Sequence, residues 1–256
     1  MVLVPLAGGP ESGAPRPRRC EDATPPGPGA CHVILDPIID LSHPVRTGMP
    51  VYPGDPEVVV APAATVAADG YNVLHVTMGS QSGTHVDAPF HCLDDGARID
   101  AMDLTMFLGP AVVADVRHVA ARQPIRWEDL APVAGQLTPG RILLLHTGWS
   151  SSWGTDAYLD HPYLDGQAAA ALVAAGIRTI GIDAASIDET VETAEHPSGF
   201  AAHHALLGAG CAVVENLTNL AAIDSADPVV SVLPLRLADA DGAPVRAVAF
   251  RCAAPA

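Results

Sequence analysis

The chain has 256 residues, 49% of them apolar and 4% aromatic, with a formal net charge of −16. That length suits one large core or two small ones. The acidity argues against a nucleic-acid phosphate backbone or an anionic membrane as partner, and no apolar run approaches the ~20 residues a membrane span needs.

Residues 1–31 are dense in Pro and Gly, and their positive charges follow the apolar start, the wrong order for a secretory signal. The composition predicts a disordered arm ahead of a single domain over residues 32–256. The five cysteines (Cys20, Cys31, Cys92, Cys211, Cys252) are odd in number and scattered, with no CxxC pair. They suggest neither a disulfide framework nor a zinc knuckle, and a reducing cytoplasm is the simplest home. Asn216-Leu217-Thr218 matches a glycosylation sequon and is read as a chance match.

The folded part begins with a short strand at Ile38 to Leu41. A loop set by Pro44, Gly48, Pro50, Pro53 and Gly54 follows, stiff enough to lie over a site. Tyr52 is its aromatic candidate for facing a ligand. Val58 to Val60 and Asn72 to Met78 read as strands separated by a turn at Asp69-Gly70, with His75 as a sheet residue.

Next comes Ser82 to His91, SGTHVDAPFH. His85 and Asp87 are two apart, so on an extended strand both leave the same face. Pro89 should end the strand and turn the chain so that His91 folds back. Imidazole and carboxylate on one face are ligand chemistry for Zn²⁺ or Mn²⁺. A lone His-x-Asp is a common surface pair; the full run is far rarer.

Ala111 to Val116 is a buried-type strand, Ile125 to Leu130 a short helix candidate, and Ile142 to His146 another apolar strand. The latter runs into Thr147-Gly148-Trp149, where Trp149 suits a pocket wall. Asp165 can cap a helix over Gln167 to Ala175 that Gly176 stops, and Ile177 to Asp183 reads as a parallel strand. Asp183, Ser186 and Asp188 then fall at a strand's carboxyl end, where α/β folds place ligands. GIDAASID is not a GxSxG elbow, so a serine hydrolase is excluded. His203-His204 opens a short helix, and an apolar strand from Cys211 to Val214 ends in Glu215, an acid that burial penalises unless it is paired or binds metal. Val229 to Phe250 reads as two strands around a loop at Asp239 to Pro244.

SGTHVDAPFH resembles the signature of the metal-dependent cyclase family, which includes bacterial kynurenine formamidases and isatin hydrolases. DLSHPVRTGMPVYPGDP, LLLHTGW, LVAAGIRTIGIDAASID, HHALLGAGCAVVENLTNL and LPLRLADADGAPVRAVAF follow in the family's order, so the similarity covers roughly Ile38 to Phe250. The resemblance implies a compact single-domain α/β fold of the swivelling β/α type, with a mixed β core flanked by helices, in a homodimer or larger homo-oligomer. It implies metal ligands at His85, Asp87, His203 and Glu215, a divalent Mn²⁺ or Zn²⁺ ion, and a proton shuttle at His91.

The implied reaction is hydrolysis of a small cyclic amide, lactone or N-formyl amide by metal-activated water, with Trp149 and Tyr52 as substrate contacts. One departure stands out: where the family carries a histidine four residues before His85, this chain has Gln81. A glutamine ligates only through its carbonyl oxygen, which favours Mn²⁺ or a single ion over two Zn²⁺. His146 marks a second departure at the pocket. Two other functions stay open, a tailoring cyclase or dehydratase using the metal as Lewis acid, and a non-catalytic binding protein.

Overall fold

The computed structural model describes residues 34–191 and 199–253; the expected arm over residues 1–31 lies outside them. The strands, in chain order, are β1 (Ile34–Asp40), β2 (Val59–Ala64), β3 (Val73–Thr77), β4 (His85–Asp87), β5 (Leu108–Asp115), β6 (Pro124–Ile125), β7 (Ile142–His146), β8 (Tyr163–Leu164), β9 (Thr179–Ile182), β10 (Ala212–Glu215), β11 (Val229–Ser231), β12 (Gly242–Pro244) and β13 (Val248–Ala253). The α-helices are α1 (Val66–Asp69), α2 (Gly166–Ala174) and α3 (Ala201–Gly208). Nine strands form one sheet in the order β1-β13-β11-β5-β7-β9-β10-β4-β12. Its centre, β5-β7-β9-β10, is parallel, and both flanks pair antiparallel.

Alternation along the central strands splits the core in two. Leu143 and Leu145 of β7 and Val213 of β10 pack on the face that carries α2 and α3. Ile142, Leu144, Ala212 and Val214 pack on the other. In that second layer Val230 and Ala249, from one end of the sheet, share a core with Val86 and Ala243, from the other. A sheet whose two ends meet over one core must curl. The curl takes the place of a second helical layer, so α2 and α3 pack on one face rather than on both.

The helix boundaries follow from local chemistry. Asp165 Oδ1 accepts from the backbone N–H of Gln167 (2.9 Å) and Ala168 (3.2 Å), the cap expected of it. Gly176, at φ +85°, ends the segment after α2.

Two expectations are corrected. Ile125 lies in a parallel two-residue pairing with β8, and Trp127–Gln136 is a run of 3₁₀ turns with Pro132 inside it, where a missing N–H and ring bulk work against a regular helix. The Asp239–Pro244 segment is not a hairpin loop. It contains β12, which pairs with β4 at the far end of the sheet from β11 and β13. Elsewhere β2 and β3 form the expected hairpin, joined through α1, and every residue of β3 is exposed.

Candidate metal centre and its cavity

β4 and β10 lie side by side in antiparallel register, with Glu215 opposite His85 and Val213 opposite Asp87. Val86 packs in the curled layer, so His85 and Asp87 face the opposite, helical side, together with Glu215, which shares the parity of Val213. α3 supplies His203 from above that face. All four side chains are at most 7% exposed.

Each imidazole is oriented by an acceptor on its Nδ1. His85 Nδ1 donates to the Gly83 carbonyl (2.7 Å), and His203 Nδ1 donates to Asp188 Oδ2 (2.8 Å). A carbonyl or carboxylate only accepts, so in the neutral ring Nδ1 carries the hydrogen and Nε2 the lone pair. His85 Nε2 lies 3.3 Å from Asp87 Oδ1 and 3.5 Å from Glu215 Oε2. His203 Nε2 lies 3.5 Å from Asp87 Oδ2 and 3.3 Å from Glu215 Oε1.

Among the described residues, both Asp87 carboxylate oxygens and His203 Nε2 are buried without a hydrogen-bond partner. Ligand atoms of His85, Asp87 and Glu215 all lie within 4.8 Å of one another. Lone pairs converging on anionic oxygens at that range repel unless a cation lies between them, and leaving a buried carboxylate uncompensated costs several kcal/mol.

The electrostatics agree. Burial alone would lower the His85 pKa, yet the charge of Asp87, with Glu215 behind it, pushes it up to about 10. His203 is raised well above its ordinary value in the same way, burial being overcome by Asp188, Asp87 and Glu215. Burial would raise Asp87 and Glu215, but the two imidazoles hold both below the ordinary carboxylate range. The cluster is built for positive charge, and its two imidazoles and two carboxylates fit Zn²⁺ or Mn²⁺.

The surrounding segments fix these groups. Gly83, at φ +67°, makes the turn that aims its carbonyl at His85. Asn216 Nδ2 donates to the same carbonyl (3.0 Å), and Tyr158 donates to Asn216 Oδ1 (2.7 Å). The sequon asparagine is thus a buried strut. Asp188 also accepts from the N–H groups of Ala202 and His203 (2.9 Å each), capping α3 from a distant loop while orienting His203. Ile187 N–H donates to Glu215 Oε1 (2.6 Å). Asp183 accepts from Thr147 N, Thr147 Oγ1 and Gly148 N, a structural tie between strand ends.

The cluster floors a cavity of about 560 Å³. The proline-rich loop covers it with Pro50 to Asp55, and Tyr52 lines it. His91 lines it, from the 3₁₀ turn Pro89–His91 that Pro89 starts directly after β4.

Trp149 does not line the cavity. Its indole N–H donates to the Ala157 carbonyl (2.9 Å) and its ring packs on the core, because Gly148 (φ +77°) turns the chain away. Trp153 takes the wall instead, stacked on His43 (4.0 Å, 7° between planes) and edge-on to Tyr158. His204 is also on the wall, whereas His146 lines a different hollow with Leu220 and Ala221.

Gln81 directs its amide nitrogen to Asp241 Oδ2 (2.8 Å) and lies 3.1 Å from His91 Nδ1. The strand parity that would align it with His85 and Asp87 does not reach it, because β4 begins only at His85. Asp241 went unnoticed in the sequence, lying inside an expected loop.

The chain matches the Cyclase family over residues 39–189. It is also 34% identical over 216 residues to a kynurenine formamidase of Geobacillus thermodenitrificans, covering 84% of this chain and 97% of that protein. The chain belongs to the Cyclase family. A kynurenine formamidase of Bacillus mycoides is likewise 34% identical, covering 82% of this chain and 95% of its own. Among solved structures, an isatin hydrolase bound to the product analogue thioisatinate shares the fold with a TM-score of 0.76 at 20% identity, covering 85% of this chain and 93% of that one. A potential metal-dependent hydrolase with cyclase activity aligns with a TM-score of 0.69 at 28% identity, over 85% and 98% of the two chains. The family match takes in the motifs from Asp40 to Asp188, and the curled sheet is the family's fold.

Proposed function

We propose that this chain is a metal-dependent amidohydrolase that cleaves a non-peptide C–N bond in a small N-formyl amide or cyclic amide. The observation that carries the reading is the set of orphaned buried atoms, both oxygens of Asp87 and Nε2 of His203, converging with His85 and Glu215 on a cavity of about 560 Å³. The likeness to kynurenine formamidases supports an N-formyl aryl amide as substrate.

His85, Asp87, His203 and Glu215 would hold one Mn²⁺ or Zn²⁺. A cation held there would supply Lewis acidity towards the scissile carbonyl and the attacking water. His91 takes a proton from the attacking water and returns it to the leaving amine, so its charge is restored each turnover. Trp153, Tyr158 and Tyr52 give the organic part of the substrate an aromatic wall, and the loop over residues 50–55 limits water access. We place the enzyme in the cytoplasm as a homo-oligomer. Among the described residues, no helix is long and apolar enough to cross a membrane.

The test is purified protein, with its metal content measured, offered the N-formyl amide of kynurenine and, in parallel, isatin. Turnover giving formate or a ring-opened acid, lost on chelation and regained with Zn²⁺ or Mn²⁺, is the expected result. Equal rates with and without metal would defeat the reading. A product without the elements of an added water would turn it towards cyclisation.

A further inference from the structure

His91 is held by a group that neither the metal chemistry nor the cavity wall requires. Asp241 Oδ2 lies 3.2 Å from His91 Nδ1 and accepts from Gln81 Nε2 at 2.8 Å. Its other oxygen, Oδ1, accepts from Ser80 Oγ at 2.7 Å. Both partners are fixed by the same ladder. Ala88 N–H donates to the Asp241 carbonyl (2.8 Å) next to the β4–β12 pairing, and His91 N–H closes the following turn on the Ala88 carbonyl (2.8 Å).

Gly242 makes the approach possible. A Cβ there would lie 2.5 Å from the Val86 carbonyl oxygen and 2.7–2.8 Å from the Gln81 amide. Only glycine lets β12 come close enough for Asp241 to reach across.

A histidine that takes a proton from water must have a bare nitrogen facing the reaction, so its other nitrogen must carry the hydrogen. A carboxylate beside Nδ1 selects that tautomer, as in the Ser-His-Asp arrangement of other enzymes. The amide of Gln81 beside the same nitrogen is a donor, and by itself would favour the opposite tautomer, with hydrogen on Nε2.

We propose that Asp241 is the positioning residue of the proton shuttle. It accepts the Nδ1–H of His91 and so keeps Nε2 as the basic nitrogen towards the cavity, while Ser80 and Gln81 hold its carboxylate in place. Gln81 then belongs to the shuttle, and the glutamine found where the family's resemblance leads one to expect a histidine tightens Asp241. The inference rests on the reading of His91 as the shuttle. Asp241 stays ionised throughout: the proton taken at Nε2 leaves from Nε2.

The test uses full-length protein loaded with zinc, at a pH where the His91 ring is neutral. Long-range ¹H–¹⁵N correlation spectra assign the ring tautomer without reference to any substrate, so a failure of the amidohydrolase reading leaves this measurement intact. The wild type is expected to show hydrogen on Nδ1. Asp241→Ala leaves Gln81 as the neighbour of that nitrogen and should shift the hydrogen to Nε2. kcat should fall roughly 10- to 100-fold while KM and bound zinc change less than about twofold. Asp241→Asn, which keeps the shape and removes the charge, should fall between. Hydrogen on Nε2 in the wild type would overturn the proposal even if neither variant folded. An unchanged tautomer and kcat in Asp241→Ala would do the same, as would loss of zinc in parallel with activity.

Discussion

Two histidine–carboxylate groupings open on the same cavity, and they differ in what decides the fate of a charge. Around Asp87 the side chains are 1–7% exposed, and three polar atoms have no hydrogen-bond partner. At His91 and Asp241 both side chains are 33% exposed, and each Asp241 oxygen is satisfied. Buried carboxylate oxygens with unmet lone pairs favour a bound cation, since bulk water cannot screen the anions. Partial exposure with a satisfied carboxylate suits a group that exchanges protons with substrate and solvent. The same two residue types thus serve different chemistry through the burial and hydrogen bonding of their carboxylates.

The sharpest way to break this contrast is to neutralise the buried side. Glu215→Gln removes a charge from the cation cage and leaves an amide nitrogen among donors, so bound metal and activity should both vanish, metal analysis and turnover falling together. Retained stoichiometric metal with full activity would mean the cage does not include Glu215.

His91→Ala addresses the exposed side. Metal content should survive while kcat drops ~10²-fold or more, because a proton carrier is removed and no ligand is. Metal loss instead would move His91 into the cage and erase the distinction.

Asp188→Asn asks how far the buried grouping extends. Its carboxylate orients His203 and caps α3 at once, so metal affinity should weaken about 10- to 100-fold. Titration calorimetry would read it, and an unchanged affinity would reduce Asp188 to a helix cap. The smallest effect is expected at Trp149→Phe, which touches neither grouping: KM within about twofold, against a clear rise in KM for Trp153→Ala. A reversal of those two would restore Trp149 to the cavity.

Much of the buried grouping was legible in the sequence because it rests on short-range rules. Two-residue parity places His85 and Asp87 on one face wherever β4 is extended, and Asp165 and Gly176 bound α2 by local capping. Such parity reaches no further than the strand. Gln81 lies before β4 begins, and nothing in its spacing reveals that its amide turns to Asp241. Trp149 and Trp153 are four residues apart, and a single left-handed glycine between Thr147 and Trp149 decided which of them meets the cavity.

In the sequence alone, the motifs carried the resemblance to the family and the ligand set it implies, and capping, turn chemistry and strand alternation, which act within a few residues, carried the local elements. Only the tertiary structure decided that β4 lies between β10 and β12, which brings Glu215 opposite His85 and Asp241 beside His91 across 150 residues of chain. β12 is three residues long and carries no periodicity to read. β7 is buried on both faces, so its apolar run cannot say which side is which. Pairing partners and curl are set by which apolar faces can be buried together, a property of the whole chain that no single stretch encodes.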